Sequence, residues 1–204
     1  VTARHRADVV RRARSLLGRT IIGHDVAVRI TEVEAYGGLE DPASHAFTRT
    51  PRSEIMYGPA YRLYVYRSYG IHFCANVVTG PSEIGAAVLL RAGEVVDGLD
   101  VARSRRGGAS DVRLARGPGN LAQALGITLE DLGSDLLASQ DATDGVRLGP
   151  EVRGRSAIEA GPRVGVSKAA DVPWRFWLAG EPSVSAYRRS PRAPATTTLS
   201  PREH

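Results

Sequence analysis

The 204-residue sequence contains one cysteine, Cys74, and one lysine, Lys168. A single cysteine rules out an intramolecular disulfide, a four-cysteine zinc site and a four-cysteine iron–sulfur cluster. A single lysine leaves Lys168 as the only side-chain amine able to form a Schiff base with a sugar aldehyde. Five histidines remain, at His5, His24, His45, His72 and His204. None makes a close helical pair around an acid, so no metal and no other cofactor is expected. No apolar run reaches the length of a membrane span, and no charged-then-apolar leader opens the sequence. A soluble protein of the cytoplasm is expected, associated with the nucleoid if the source is bacterial.

The net charge of +5 is unevenly spread. Residues 1–20 hold six arginines against one aspartate, and residues 103–116 hold five against one. Residues 188–204 hold four arginines and one glutamate, so the rest of the chain is net acidic. Solvated surface accounts for the two ends. A polyanionic partner is suggested only weakly.

Val9, Val10, Ala13, Leu16 and Leu17 recur at helical spacing, with Gly18 as the stop. Val26 to Tyr36 alternates as a strand, and its apolar phase runs on into Glu32, Glu34 and Tyr36 unless a bulge resets it. Residues 37–61 read as a long ordered loop. Leu63–Arg67 and Ile71–Val78 read as strands joined at Ser68-Tyr69-Gly70, and Ala86–Arg91 reads as a buried run. The stretch 103–116 reads as a surface loop, followed by a short helix after Gly117-Pro118-Gly119-Asn120. Thr128 with Asp131 gives a weak helix-cap signal. Residues 133–160 are poorly patterned. Arg163–Val166 and Trp174–Ala179 read as closing strands. Helices and strands mix without βαβ alternation, which predicts an α+β fold. One domain over residues 1–187 and a flexible tail over 188–204 are expected.

Six of the twelve aromatic residues fall between Tyr57 and Phe73. Packing in a half-buried strand explains Tyr64 well. It explains Tyr69 badly, because a tyrosine beside glycine at a hairpin tip projects outward. Such a ring can enter a base stack and hold a gap open. Glu34 and Tyr36 share a strand face, where a carboxylate is either ion-paired or functional. Glu32 has the same phase, so periodicity does not choose between the two acids. His45, taken alone, fits an ordinary surface loop. The glycine-rich turn at Gly117 could offer backbone N–H groups to a phosphate or simply start a helix.

Several segments together resemble the alkyladenine (3-methyladenine) DNA glycosylases, the class without a helix-hairpin-helix motif. They are ITEVEAYGGLEDPASHAF at 30–47, TPR at 50–52, LYVYRSYGIHFCANV at 63–77, AVLLRA at 87–92, RGPGNLAQALGI at 116–127, and the closing RVGV and RFWLAGEPSVS blocks. The resemblance implies a single compact domain with a curved, mainly antiparallel sheet, a projecting hairpin and surrounding helices. It implies that Glu34 is the general base, and that Arg91 and the Val164 carbonyl help position the attacking water. Tyr36, His45 and Tyr66 would enclose a flipped base, and Asn76 would disfavour undamaged guanine. Tyr69 would fill the vacated stack. Arg52, Gly70, Ile71, Gly117 and Asn120 would meet the DNA backbone. Where some relatives carry lysine, this sequence has Asn120.

The activity so implied is excision of alkylated or deaminated purines from damaged double-stranded DNA by a monomer, with no membrane partner. Lys168 matches no nucleophile of the family, so hydrolysis without strand cleavage is expected. Two rivals stand beside it. A non-catalytic binder of damaged nucleic acid would have no use for Glu34. A hydrolase of free nucleosides would have no use for a projecting Tyr69.

Overall fold

Helix α1 (Ala3–Leu16) forms over the predicted apolar stripe and buries Val9, Ala13 and Leu16. Gly18, at φ 83, ends it, and its N–H donates to the Ile30 carbonyl at 2.9 Å. The chain turns at once into β1 (Arg19–Gly23), a strand the sequence reading passed over. A two-residue turn at His24-Asp25 leads into β2 (Val26–Tyr36). Both turn residues have positive φ, the backbone that matches the twist of a tight hairpin.

The computed structural model describes residues 3–138, 145–152 and 156–195. Its three helices and one open sheet make a single-domain α+β fold in which every strand pair is antiparallel. The sheet runs β3 (Leu63–Ser68), β4 (His72–Val78), β5 (Ala87–Asp97), β2, β1, β6 (Arg147–Glu151). The far half of β2 also pairs with β8 (Arg175–Leu178), which pairs with β7 (Ile158–Gly161). Helix α2 (Leu99–Arg106) packs on α3 (Pro118–Leu125), and α3 covers β4 and β5 with Leu121, Ala122 and Leu125 buried.

The β2–β5 register shifts on either side of Glu32. Val28 and Ile30 face the main core before the shift, and Val33 and Ala35 face it afterwards. The irregularity therefore resets the phase, as a bulge does. Glu34 and Tyr36 are carried to the opposite face, and this one feature places the candidate site.

Other expectations change. Residues 99–106 are helical, so only the later part of 103–116 is loop. Gly98 and Gly107 bracket this helix and Ala102 is its buried contact; its many arginines conceal so short an apolar face. Arg163–Val166 is not a strand but a bend. Its shape is set by the buried Arg163 side chain, bonded to Asp41 and the Ala35 carbonyl, and by Gly165 at φ 72. The poorly patterned stretch 133–160 holds β6 and β7, with 139–144 and 153–155 outside the described residues. Thr128 and Asp131 do form a reciprocal cap, though on a 3-10 turn. Of the expected tail, residues 196–204 lie outside the described part. The Arg188 carbonyl accepts from the Gly165 N–H at 3.0 Å, and Arg189 pairs with Asp171.

Candidate active site

Glu32 and Glu34 are both fully buried, at 0% exposure, yet their surroundings differ. Glu32 Oε1 accepts from Arg91 Nε (3.0 Å), Arg175 Nε (2.6 Å) and Ser185 Oγ (2.9 Å), and Oε2 accepts from the Ser185 N–H (2.7 Å). Four donors thus close around this carboxylate, three on Oε1 and one on Oε2, two of them from buried arginines. Glu34 Oε1 accepts from the Val164 N–H (2.7 Å) and lies 3.4 Å from an Arg91 terminal nitrogen. Glu34 Oε2 accepts from the Tyr36 hydroxyl at 2.9 Å. One lone-pair direction is left over. Glu34 also lines an open cavity of about 690 Å³, and Glu32 does not.

Arg91, on β5 and only 7% exposed, bridges the two acids and donates to Ser185 Oγ at 3.3 Å. Removing either acid would leave a buried guanidinium partly unpaired.

Five rings line the cavity: Tyr36, His45, Tyr64, Tyr66 and, at the edge, Tyr69. Tyr36 holds Glu34 with its hydroxyl, and Arg163 lies 4.8 Å from its ring centre. Arg163 is anchored by both oxygens of Asp41, which ties the start of the long loop behind Tyr36. Burial, then the Glu34 charge, raises the Tyr36 phenol well above its ordinary range. His45 opens a 3-10 turn whose Ser44 Oγ accepts the Ala46 N–H. Its Nδ1 is 3.0 Å from the Tyr64 hydroxyl, and its ring meets Tyr66 edge-on at 4.6 Å. The imidazole is exposed through the open cavity. Even so, desolvation by the loop and the nearby Arg52 lower its pKa to about 4. It is therefore neutral at pH 7. Arg52 lies 4.9 Å from the Tyr66 ring centre.

A small second core holds this loop in place. Ala46, Met56, Tyr57, Tyr64, Val78 and Ala87 pack together, and the Tyr57 hydroxyl donates to the Ala46 carbonyl at 2.7 Å. Asn76, buried on β4, donates to the carbonyls of Tyr64 (3.1 Å) and Cys74 (3.4 Å), which fixes its amide plane in the cavity wall.

At the lip, Tyr69 is 93% exposed and Ile71 72%. Tyr69 has φ 50 and Gly70 φ 70, closed by an Ile71 N–H to Ser68 carbonyl bond of 3.0 Å. A tyrosine in the left-handed region costs about 1 kcal/mol. Neither burial nor backbone preference accounts for its presence there, so a ring wanted in solvent is the better reason.

The structure thus gathers Glu34, Tyr36, His45, Arg52, Tyr66, Tyr69, Asn76, Arg91 and Val164 around one cavity. Gly70 and Ile71 stay at the hairpin tip, while Gly117 and Asn120 stand outside the cavity wall. The neighbouring Pro118 does line it. Three contributions were not legible in the sequence. Tyr64 orients His45, Arg163 backs Tyr36, and Lys168 lines the cavity near Phe47, 6.0 Å from its ring centre. The RVGV text marked Arg163 without revealing its partner; Tyr64 read as a packing residue, and Lys168 only as the sole side-chain amine.

The sequence pattern of the family described as "Methylpurine-DNA glycosylase (MPG)" matches residues 3–182. The chain belongs to the methylpurine-DNA glycosylase family. Among its relatives, a protein of Nocardia farcinica is 57% identical over 92% of this chain and 91% of its own length. One of Rhodococcus jostii is 54% identical, covering 93% and 86%, and one of Mycobacterium bovis is 53% identical, covering 92% and 94%. All three carry the name "Putative 3-methyladenine DNA glycosylase". As a member of the methylpurine-DNA glycosylases, the chain is a hydrolase of N-glycosyl bonds in DNA. Among the described residues no helix is long and apolar enough to cross a membrane.

Proposed function

We propose that this glycosylase removes alkylated and deaminated purines from duplex DNA by hydrolysis alone, with Glu34 activating the water. The lesion class is that of 3-methyladenine, 7-methylguanine, hypoxanthine and ethenoadenine, and the enzyme acts as a cytoplasmic monomer at the nucleoid. The observation that carries the reading is the unsaturated Glu34 carboxylate inside an aromatic cavity, beside an exposed tyrosine.

Taking a base out of the stack costs a few kcal/mol. Tyr69 offsets part of this by entering the gap, with Gly70 and Ile71 carrying the tip along the backbone. The flipped purine lies among Tyr36, His45 and Tyr66. Alkylated purines are cationic, so ring faces attract them. Asn76, its amide plane already fixed, would reject the exocyclic amino group of guanine. Water occupies the free lone-pair direction of Glu34, with the Val164 carbonyl as its second acceptor. Glu34 takes a proton as the water oxygen bonds to C1′, and the C1′–N bond breaks with its electron pair moving to the base. The carboxylate also offsets positive charge on the sugar in that transition state. Arg91 and the Val164 N–H keep Glu34 from rotating away.

Glu34→Gln keeps the shape of this network and removes the base. Excision from a hypoxanthine duplex should fall by about 10³-fold, while affinity for the damaged duplex stays within about twofold. Unchanged excision would sink the mechanism. A non-catalytic binder predicts no excision by the parent protein either. A nucleoside hydrolase predicts turnover of free inosine, which the duplex reading excludes.

A further inference from the structure

A second hollow, of about 670 Å³, lies between the end of α2, the 3-10 turn Asp111–Arg113, the start of α3 and residues 185–186. Its polar walls are Arg106, Arg113, Arg116, Ser110, Asn120 and Ser185, with no carboxylate among them. We propose that this cleft binds phosphate groups, a site separate from the base cavity.

Charge and hydrogen bonding point the same way. The one acid of residues 103–116, Asp111, is held through both oxygens by Arg103, at 2.9 and 2.8 Å. Arg103 is not in the cleft wall. The three arginines that do line it are therefore left without an acidic partner. Arg116 spends Nε on the Val184 carbonyl (2.8 Å), and its two terminal nitrogens have no partner among the described residues. Arg106 uses Nε on the Leu114 carbonyl and one terminal nitrogen on Gln123, leaving the other free. Burial lowers the Arg106 pKa, as it does for a cation with no counter-charge. Arg113 is exposed, and no side-chain partner is seen for it among the described residues. Ser110 precedes the turn without capping it by its side chain. Three half-used guanidinium groups around one hollow match the oxygen-rich, planar recognition of phosphate.

The position suggests which phosphate. Pro118 lines the base cavity and Asn120 lines this cleft, so the two hollows flank the first turn of α3. Ser185 forms part of the partition, bonded to Glu32 and Arg91 behind it. A strand whose nucleotide enters the cavity would lay a neighbouring backbone phosphate along this side. A free oligophosphate would satisfy the same donors. The proposal itself does not depend on the excision chemistry.

Arg113→Gln removes one free guanidinium and no observed contact, and Arg4→Gln, on exposed α1, removes one equal charge elsewhere. Each purified full chain is titrated with tripolyphosphate by calorimetry and with an undamaged duplex across a salt series. If the cleft takes backbone phosphate, Arg113→Gln reduces the slope of log K against log salt by about 0.9, and Arg4→Gln does not. If it takes free oligophosphate, the duplex slope is unchanged and tripolyphosphate affinity falls about tenfold, in Arg113→Gln alone. Equal losses in both variants, or no loss in either assay, would overturn the proposal.

Discussion

Glu32 and Glu34 stand two residues apart on one strand, equally buried, in different surroundings. Four donors close around Glu32, two of them from buried arginines, and it is not in the cavity wall. Three groups hold Glu34, which lines the cavity. Burial alone therefore does not distinguish a structural carboxylate from a reactive one. Access to a cavity does, together with the donors around each acid: two arginines bond Glu32, while one stands 3.4 Å from Glu34.

The contrast breaks most visibly at Glu32. Glu32→Gln leaves Arg91 and Arg175 without their shared charge, and stability measured by urea unfolding should drop by about 3–5 kcal/mol. Any loss of excision should follow the loss of folded protein. At the lip, Tyr69→Ala should slow excision by about ten- to a hundredfold, by the few kcal/mol that a vacant stack returns. Its melting temperature should not fall, because the ring is 93% exposed.

His45 gives a smaller, pH-dependent effect. The folded imidazole has a pKa of about 4 against an ordinary 6.5. Between those values the unfolded chain binds a proton that the folded chain refuses. Stability should thus fall as pH drops from about 6.5 toward 4, and level off below. His45→Gln should flatten that part of a melting-temperature profile; an unaltered profile would contradict the assigned pKa. The smallest expected signal is none at all. Lys168 lines the cavity, yet the proposed reacting group is Glu34 and not an amine. Borohydride should trap no enzyme–DNA adduct, and a trapped adduct abolished by Lys168→Ala would show a lyase.

Much of this frame was legible in the sequence, where local pattern and tertiary structure agreed. The α1 stripe, β3, β4 and the hairpin tip were read from periodicity and one glycine. Strand β1 was missed because His24-Asp25 makes a tight turn without glycine. Helix α2 was missed because four of its eight residues are charged and one small side chain, Ala102, supplies its buried contact. Periodicity left Glu32 and Glu34 equivalent, since a register shift is a property of two strands and not of one. Family resemblance chose Glu34, and its place in the cavity wall gives a physical reason for that choice. Tyr64 and Arg163 act on partners 19 and 122 residues away, so no local signal could have marked them.

The central claim is the division of labour between the two acids. Its most direct test is single-turnover excision of hypoxanthine from one duplex by Glu34→Gln and Glu32→Gln, each rate corrected for the folded fraction. The account predicts a loss of about 10³-fold per folded molecule for Glu34→Gln, and less than about tenfold for Glu32→Gln. Equal losses, or the larger loss at Glu32, would contradict it.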